Sequence, residues 1–219
     1  MTRVHRSPRG SKDMDVDLSP RVPVHTLQRA VSTILHSQAF LATLLPHGIV
    51  RLDITTPKQT AATQRWKISL MLVGDTALST AIEFSRRPAA IQATSGIPDA
   101  ECLRRWAMIP FAAQYYDAAQ MAVQKILALA SPSRHAARDL FDLHHLWSTA
   151  QVRPERALSL MEPALLARAI QRATMFTTEE FHAQVVPYLP ETLMAHYQHP
   201  GTFELLRDVV TQTLSQKRR

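Results

Sequence analysis

Between residues 24 and 45, apolar side chains return at intervals of three and four (Leu27, Ala30, Val31, Ile34, Leu35), the spacing of one helical face. Pro46 and Gly48 close that run. The period then shortens to two. Ile49, Arg51 and Asp53 alternate with Val50, Leu52 and Ile54, and residues 65–73 and 80–87 read as two further strands. Gly74-Asp75 is a turn signal between these two, so residues 49–87 predict an antiparallel meander with the preceding helix on one face. A shorter alternation comes before all of this. In Asp13-Met14-Asp15-Val16-Asp17-Leu18 the three aspartates share one face of a strand and the three apolar residues share the other. Residues 88–110 show no clear period. After Pro110 the pattern is helical, with helices expected over 112–130, 135–148, 155–172, 178–187, 190–198 and 202–216. Thr177 and Glu180 have the spacing of a capping box at the start of the fourth of these. Strands therefore concentrate in the first half and helices fill the second, with the boundary near Pro110.

Composition adds little to the fold but narrows the partners. An apolar share of 46% with 20% charged residues belongs to an ordinary globular chain. The net charge of +7 favours a polyanionic partner such as a nucleotide or RNA, although part of the excess lies at the two ends. The single cysteine, Cys102, excludes an internal disulfide and fits a reducing compartment. No apolar run is long enough to span a bilayer and the N-terminus has no apolar h-region, so a cytoplasmic location without a membrane partner is expected. A DNA reader would need a basic recognition helix, and residues 202–216 carry only Arg207.

Three groups of residues could carry chemistry. The first is Asp13 and Asp15 with Glu83, a mid-strand glutamate flanked by Ile82 and Phe84. If its strand lies beside the aspartate strand, the carboxylates could hold two Mg²⁺ ions for an in-line phosphoryl or nucleotidyl displacement. Otherwise Glu83 pairs with a neighbouring arginine on an open sheet face. The second is Lys125, the only charged residue from Ala118 to Ala130 in a helix that is apolar nearly all round. A buried ammonium needs an acidic side chain or a ligand phosphate, unless it snorkels to the surface. The third is Arg138-Asp139-Leu140-Phe141-Asp142-Leu143-His144-His145, which puts Asp139 and Asp142 on an apolar helical face as counter-charges for Lys125. His144 and His145 diverge by about 100° on a helix, so one surface and one semi-buried histidine are expected rather than a zinc site.

These residues resemble a known family. Arg9-Gly10-Ser11-Lys12-Asp13-Met14-Asp15 is similar to the R-x-S-x-D-x-D segment of the AbiEii/AbiGii toxins, which are DNA polymerase β-like nucleotidyltransferases. Residues 80–87 resemble the strand that supplies their third metal carboxylate. Lys125-Ile126-Leu127-Ala128-Leu129 followed by Arg138-Asp139-Leu140-Phe141-Asp142-Leu143 resembles their K-x-x-A-L … R-D-x-x-D-L signature. The resemblance implies an α+β fold: a small mixed sheet flanked by helices over 1–110, then a helical domain over 111–219. It implies transfer of a nucleoside monophosphate from an NTP, with Mg²⁺ or Mn²⁺, to an acceptor such as the tRNA 3′ end or another RNA or protein. A separately encoded antitoxin and a role in abortive phage infection are implied with it. By position, Asp13, Asp15 and Glu83 would bind metal, Lys125 would hold the triphosphate and Asp139 would orient it. Arg9, Ser11, Arg86, Arg87 and Arg138 would be further nucleotide, phosphate or RNA contacts. The family's helix and Gly-Gly/Ser turn have no counterpart in the 12 residues before Asp13. Two expectations follow: a start placed upstream, or a truncated, catalytically inactive homologue acting as an RNA- or protein-binding module.

Overall fold

The structure is a computed structural model that describes residues 8, 13–86, 93–105, 107–148 and 153–216. The chain divides into two compact units, Ser11–Ala90 on one side and Ile91–Arg219 with Met1–Gly10 on the other. This division falls within the aperiodic stretch 88–110 that the sequence reading placed in the first part.

In the first unit the strands are β1 (Asp13–Asp17), β2 (Ile49–Gln59), β3 (Thr63–Leu72) and β4 (Ala77–Ser85), with α1 (Val24–Leu35) and α2 (Gln38–Leu44) between β1 and β2. The sheet order is β1-β4-β3-β2, with β1 parallel to β4 and the other pairs antiparallel. The expected meander is therefore present, and the aspartate strand makes the sheet mixed. Its apolar face buries Trp66 and Ile68 against Leu27 and Leu35 of α1, with Leu52, Ile54, Ile82 and Phe84 around them. The helix expected to run to residue 45 breaks instead at Ser37, whose hydroxyl accepts from the Phe40 amide at 3.1 Å and caps a second helix. Between β3 and β4, Gly74 and Asp75 both adopt positive φ (88° and 60°), the left-handed geometry that lets a tight turn follow the sheet's twist.

Trp66 dominates this small core. It is fully buried and meets Phe84 edge-on, with ring centroids 5.7 Å apart. Trp66→Ala is expected to lower the stability of the first unit by about 3–5 kcal/mol, read as an earlier midpoint in urea denaturation.

The second unit contains β5 (Thr94–Gly96), α3 (Ala100–Arg105), β6 (Ala113–Tyr115), α4 (Ala118–Ala130), α5 (Arg138–Ser148) and α6 (Pro154–Leu158). After them come α7 (Pro163–Ala173), α8 (Thr178–Gln184), α9 (Glu191–Tyr197) and α10 (Thr202–Ser215). Ile126, Leu140, Leu143, Leu146, Phe181 and Phe203 are among the residues of its core. Two expectations need correction. The helix expected from residue 112 begins at Ala118, because Asp117 caps it: its carboxylate accepts from Gln120 N at 2.8 Å, and Gln120 returns the bond. Residues 113–115 form a strand paired antiparallel with β5. The helix expected over 155–172 is two, since Pro163 lacks an amide donor and holds Glu162 extended, starting α7 afresh. The capping box at Thr177 and Glu180 is formed. Among the described residues no helix is long and apolar enough to cross a membrane.

Candidate functional site

β1 and β4 run side by side with Asp13 opposite Ala81, Asp15 opposite Glu83 and Asp17 opposite Ser85. Register partners in neighbouring strands project from the same face, so the Asp15 and Glu83 side chains stand next to each other. β3 extends the same rows, placing Arg65 opposite Glu83 and Lys67 opposite Ala81. This is the polar face of the sheet; Trp66 and Ile68 occupy the other. Arg65 Nε donates to Glu83 Oε2 at 2.6 Å, and a terminal guanidinium nitrogen reaches the same oxygen. Glu83 thus lies beside the aspartate strand, as the metal reading requires, and also binds an arginine, as the alternative expects. The Arg65 ion pair compensates a carboxylate that a strand interior poorly favours.

Asp13, Asp15 and Glu83 offer only oxygen donors on adjoining strands, a chemistry that suits Mg²⁺ or Mn²⁺. Among the described residues no three potential ligands already converge on one point. The donor set is of the type such an ion takes, and in this structure Glu83 is held by Arg65.

Arg86 is committed elsewhere. Its Nε donates to the Val22 carbonyl at 3.0 Å, and a terminal nitrogen donates to Gln64 Oε1. Gln64, buried, donates in turn to the Val24 carbonyl at 3.1 Å. Arg86 therefore fastens the start of α1 to the sheet. Arg9, Ser11 and Arg87 lie outside the described residues.

In the second unit the pairing expected of Lys125 is present twice over. Its Nζ lies 2.9 Å from Asp139 Oδ1 and 2.7 Å from Asp142 Oδ2, and both carboxylates are buried. Arg134 adds a second cation, donating from Nε to Asp139 Oδ2 at 2.7 Å. Two buried anions are thus matched by two cations. Arg134 is held by its loop: Arg172 donates to its carbonyl, His135 bonds Glu180 at 2.8 Å, and the His135 ring stacks on Phe176. Arg134 was not legible beforehand, because it lies in an aperiodic loop whose course only tertiary contacts define. Arg138 is exposed at the first turn of α5. Neither histidine is a surface residue: His145 is buried and His144 half-buried, because the α5 face carrying them packs inward. Burial, followed by the neighbouring His145 charge, pushes His144 below the ordinary histidine range.

Burial pushes the Asp139 carboxyl up, but the Lys125 charge and the Arg134 hydrogen bond more than offset this and hold it below the usual carboxylate range. A carboxyl with a folded value below its unfolded one, about 3.9, stabilises fully above that pH. The contribution is lost as the pH falls through the folded value. The wild type is therefore expected to lose stability more steeply below about pH 4 than Asp139→Asn, measured by urea midpoints across an acid pH series.

Residues 1–212 match the family model described as nucleotidyl transferase AbiEii toxin, type IV toxin–antitoxin system. The chain belongs to this family. Among solved structures the AbiEii chain is similar to a protein from H. pylori described as a nucleotidyltransferase, at 20% identity and TM-score 0.54, covering 95% of this chain and 80% of that one. It is also similar to the MenT4 nucleotidyltransferase toxin from Mycobacterium tuberculosis H37Rv, at 16% identity and TM-score 0.44, over 92% and 78% of the two chains. The first likeness supports the nucleotidyltransferase fold of the expected α+β class. A search of curated proteins found no significant match.

Proposed function

We propose that this AbiEii toxin transfers a nucleoside monophosphate from an NTP to an acceptor hydroxyl, with the tRNA 3′ end as the acceptor, in the cytoplasm and under control of a separately encoded antitoxin. The observation that carries this reading is the register pairing of Asp15 with Glu83 on one face of the sheet. Asp13, Asp15 and Glu83 would hold Mg²⁺, which when bound neutralises phosphate charge and orients the reacting oxygens. Glu83 takes the proton of the acceptor hydroxyl as its oxygen bonds to the α-phosphorus. The bond from that phosphorus to the bridging oxygen breaks, and pyrophosphate leaves. The family resemblance would make Lys125, whose ammonium Asp139 orients at 2.9 Å, a further contact for the triphosphate. Abortive phage infection would follow from arrested translation when the acceptor is blocked.

Purified protein incubated with each α-labelled NTP and, in separate lanes, total tRNA, other RNA and no RNA tests the acceptor. Label in tRNA names the base and supports the reading. Label on the protein alone would replace tRNA with a protein acceptor. The binding-module reading has one observation in its favour, the Arg65 guanidinium already on Glu83; it predicts RNA retention with no label in any lane.

A further inference from the structure

On the same sheet face, one row from the carboxylates, lies a concavity of about 430 Å³ lined by Asp13, Thr55, Arg65, Lys67, Ser69 and Thr80 among others. That volume falls within the roughly 300–1,000 Å³ of small-ligand sites. Its charges are unevenly committed. Asp53, also on the wall, is bonded by Arg51 at 3.0 Å. Arg65 lies on Glu83, but nearly half of its side chain remains exposed (45%). Lys67 is exposed and, among the described residues, makes no ion pair. Serine and threonine residues complete the lining. A guanidinium fork and a mobile ammonium separated by one intervening residue are suited to several oxygens of a polyphosphate, the fork bidentately and the ammonium as a point charge.

We propose that Arg65 and Lys67 form a triphosphate subsite, with Arg65 exchanging the Glu83 carboxylate for a phosphate when nucleotide binds. The register supports this exchange, because Arg65 is the direct neighbour of Glu83 and Lys67 lies opposite Ala81, across from Asp13. An arriving polyphosphate then performs two tasks with one movement. It gains the guanidinium, and it leaves Glu83 available to the reaction. Opposite Lys67 on β2 the row carries the neutral Thr55, and of the two acids on the wall Asp53 is already held by Arg51.

The inference rests on the nucleotidyltransferase reading, but its test does not need turnover. Titration calorimetry of the full chain with inorganic tripolyphosphate, in EDTA, measures phosphate binding without metal or turnover, and the variants assign it to the subsite. Lys67→Gln and Arg65→Gln are each expected to weaken tripolyphosphate about tenfold or more, as expected for a lost charged phosphate contact. Arg29→Gln, an exposed cation on α1, is expected to leave it unchanged. A thermal melt confirms folding, and Lys67, being exposed, gives the variant least able to disturb the sheet. Equal affinity in wild type and Lys67→Gln, or no binding by folded wild type at millimolar tripolyphosphate, overturns the proposal. A short oligoribonucleotide run in parallel separates the sources of phosphate: weakening of the oligonucleotide alone assigns these cations to the acceptor and also overturns it. Selective tripolyphosphate binding without any transfer of label would instead leave the subsite standing and remove the catalytic reading.

Discussion

Replacing Asp142 by alanine is expected to destabilise the helical unit by about 3–5 kcal/mol, because it leaves a largely buried ammonium short of a counter-charge. Asp142 is fully buried and its Oδ2 lies 2.7 Å from Lys125 Nζ. The remaining carboxylate, Asp139, already serves Arg134 as well as Lys125. Without Asp142 the group holds two cations and one anion. The helix offers Lys125 little alternative, since its neighbours Ala122, Val123, Ile126 and Leu129 are buried. The double variant Lys125→Met with Asp142→Leu removes one charge of each sign, leaves Asp139 with Arg134, and is expected to recover most of the loss. Urea unfolding followed by far-UV circular dichroism on the full chain measures both. A loss below about 1 kcal/mol for Asp142→Ala would mean that water reaches the ammonium and the pair is in effect a surface one.

The second large effect is on activity. Asp15→Asn is expected to reduce nucleotide transfer at least about 10³-fold, the loss corresponding to several kcal/mol of transition-state charge stabilisation. Asp15 is exposed on a short strand at the sheet edge, so the substitution removes a charge without opening a cavity, and stability should change little. That contrast separates the two units. A defect from Asp15→Asn appears in turnover at an unchanged melting temperature, whereas a defect from Asp142→Ala appears first in the melt. A parallel fall in both for Asp15→Asn would point to unfolding of β1 rather than to chemistry.

Much of this arrangement was legible in the residues, and the reasons differ from element to element. The alternation of Asp13, Asp15 and Asp17 with Met14, Val16 and Leu18 marked a strand because one face had to stay polar. A lone charge in an apolar helix required a partner, and the two acids spaced three apart on the next helix supplied it. Glu83 was conspicuous for the same reason, as a charge in a strand interior. What stayed hidden depended on contacts distant in sequence. Arg65 looked like an ordinary strand residue until the register placed it beside Glu83. Arg134 acts from a loop positioned by Arg172, His135 and Phe176, contacts that no periodicity announces. The three-residue strands β5 and β6 are too short to show alternation. The helix breaks at Ser37 and Pro163 were visible as residue types, but the apolar spacing continued across both and concealed them.

The central claim is that Asp15 and Glu83, adjacent across β1 and β4, form the reaction centre. It is tested most directly by a transfer assay with Mg²⁺, α-labelled NTPs and total tRNA, comparing wild type with Glu83→Gln. Glu83→Gln keeps the shape of the side chain and one hydrogen-bond acceptor for Arg65, but cannot take a proton or bind a cation as a carboxylate does. Label in RNA from the wild type, with little or none from an equally folded Glu83→Gln, is the predicted result. Equal labelling by the two proteins would contradict it and place the chemistry away from this face of the sheet.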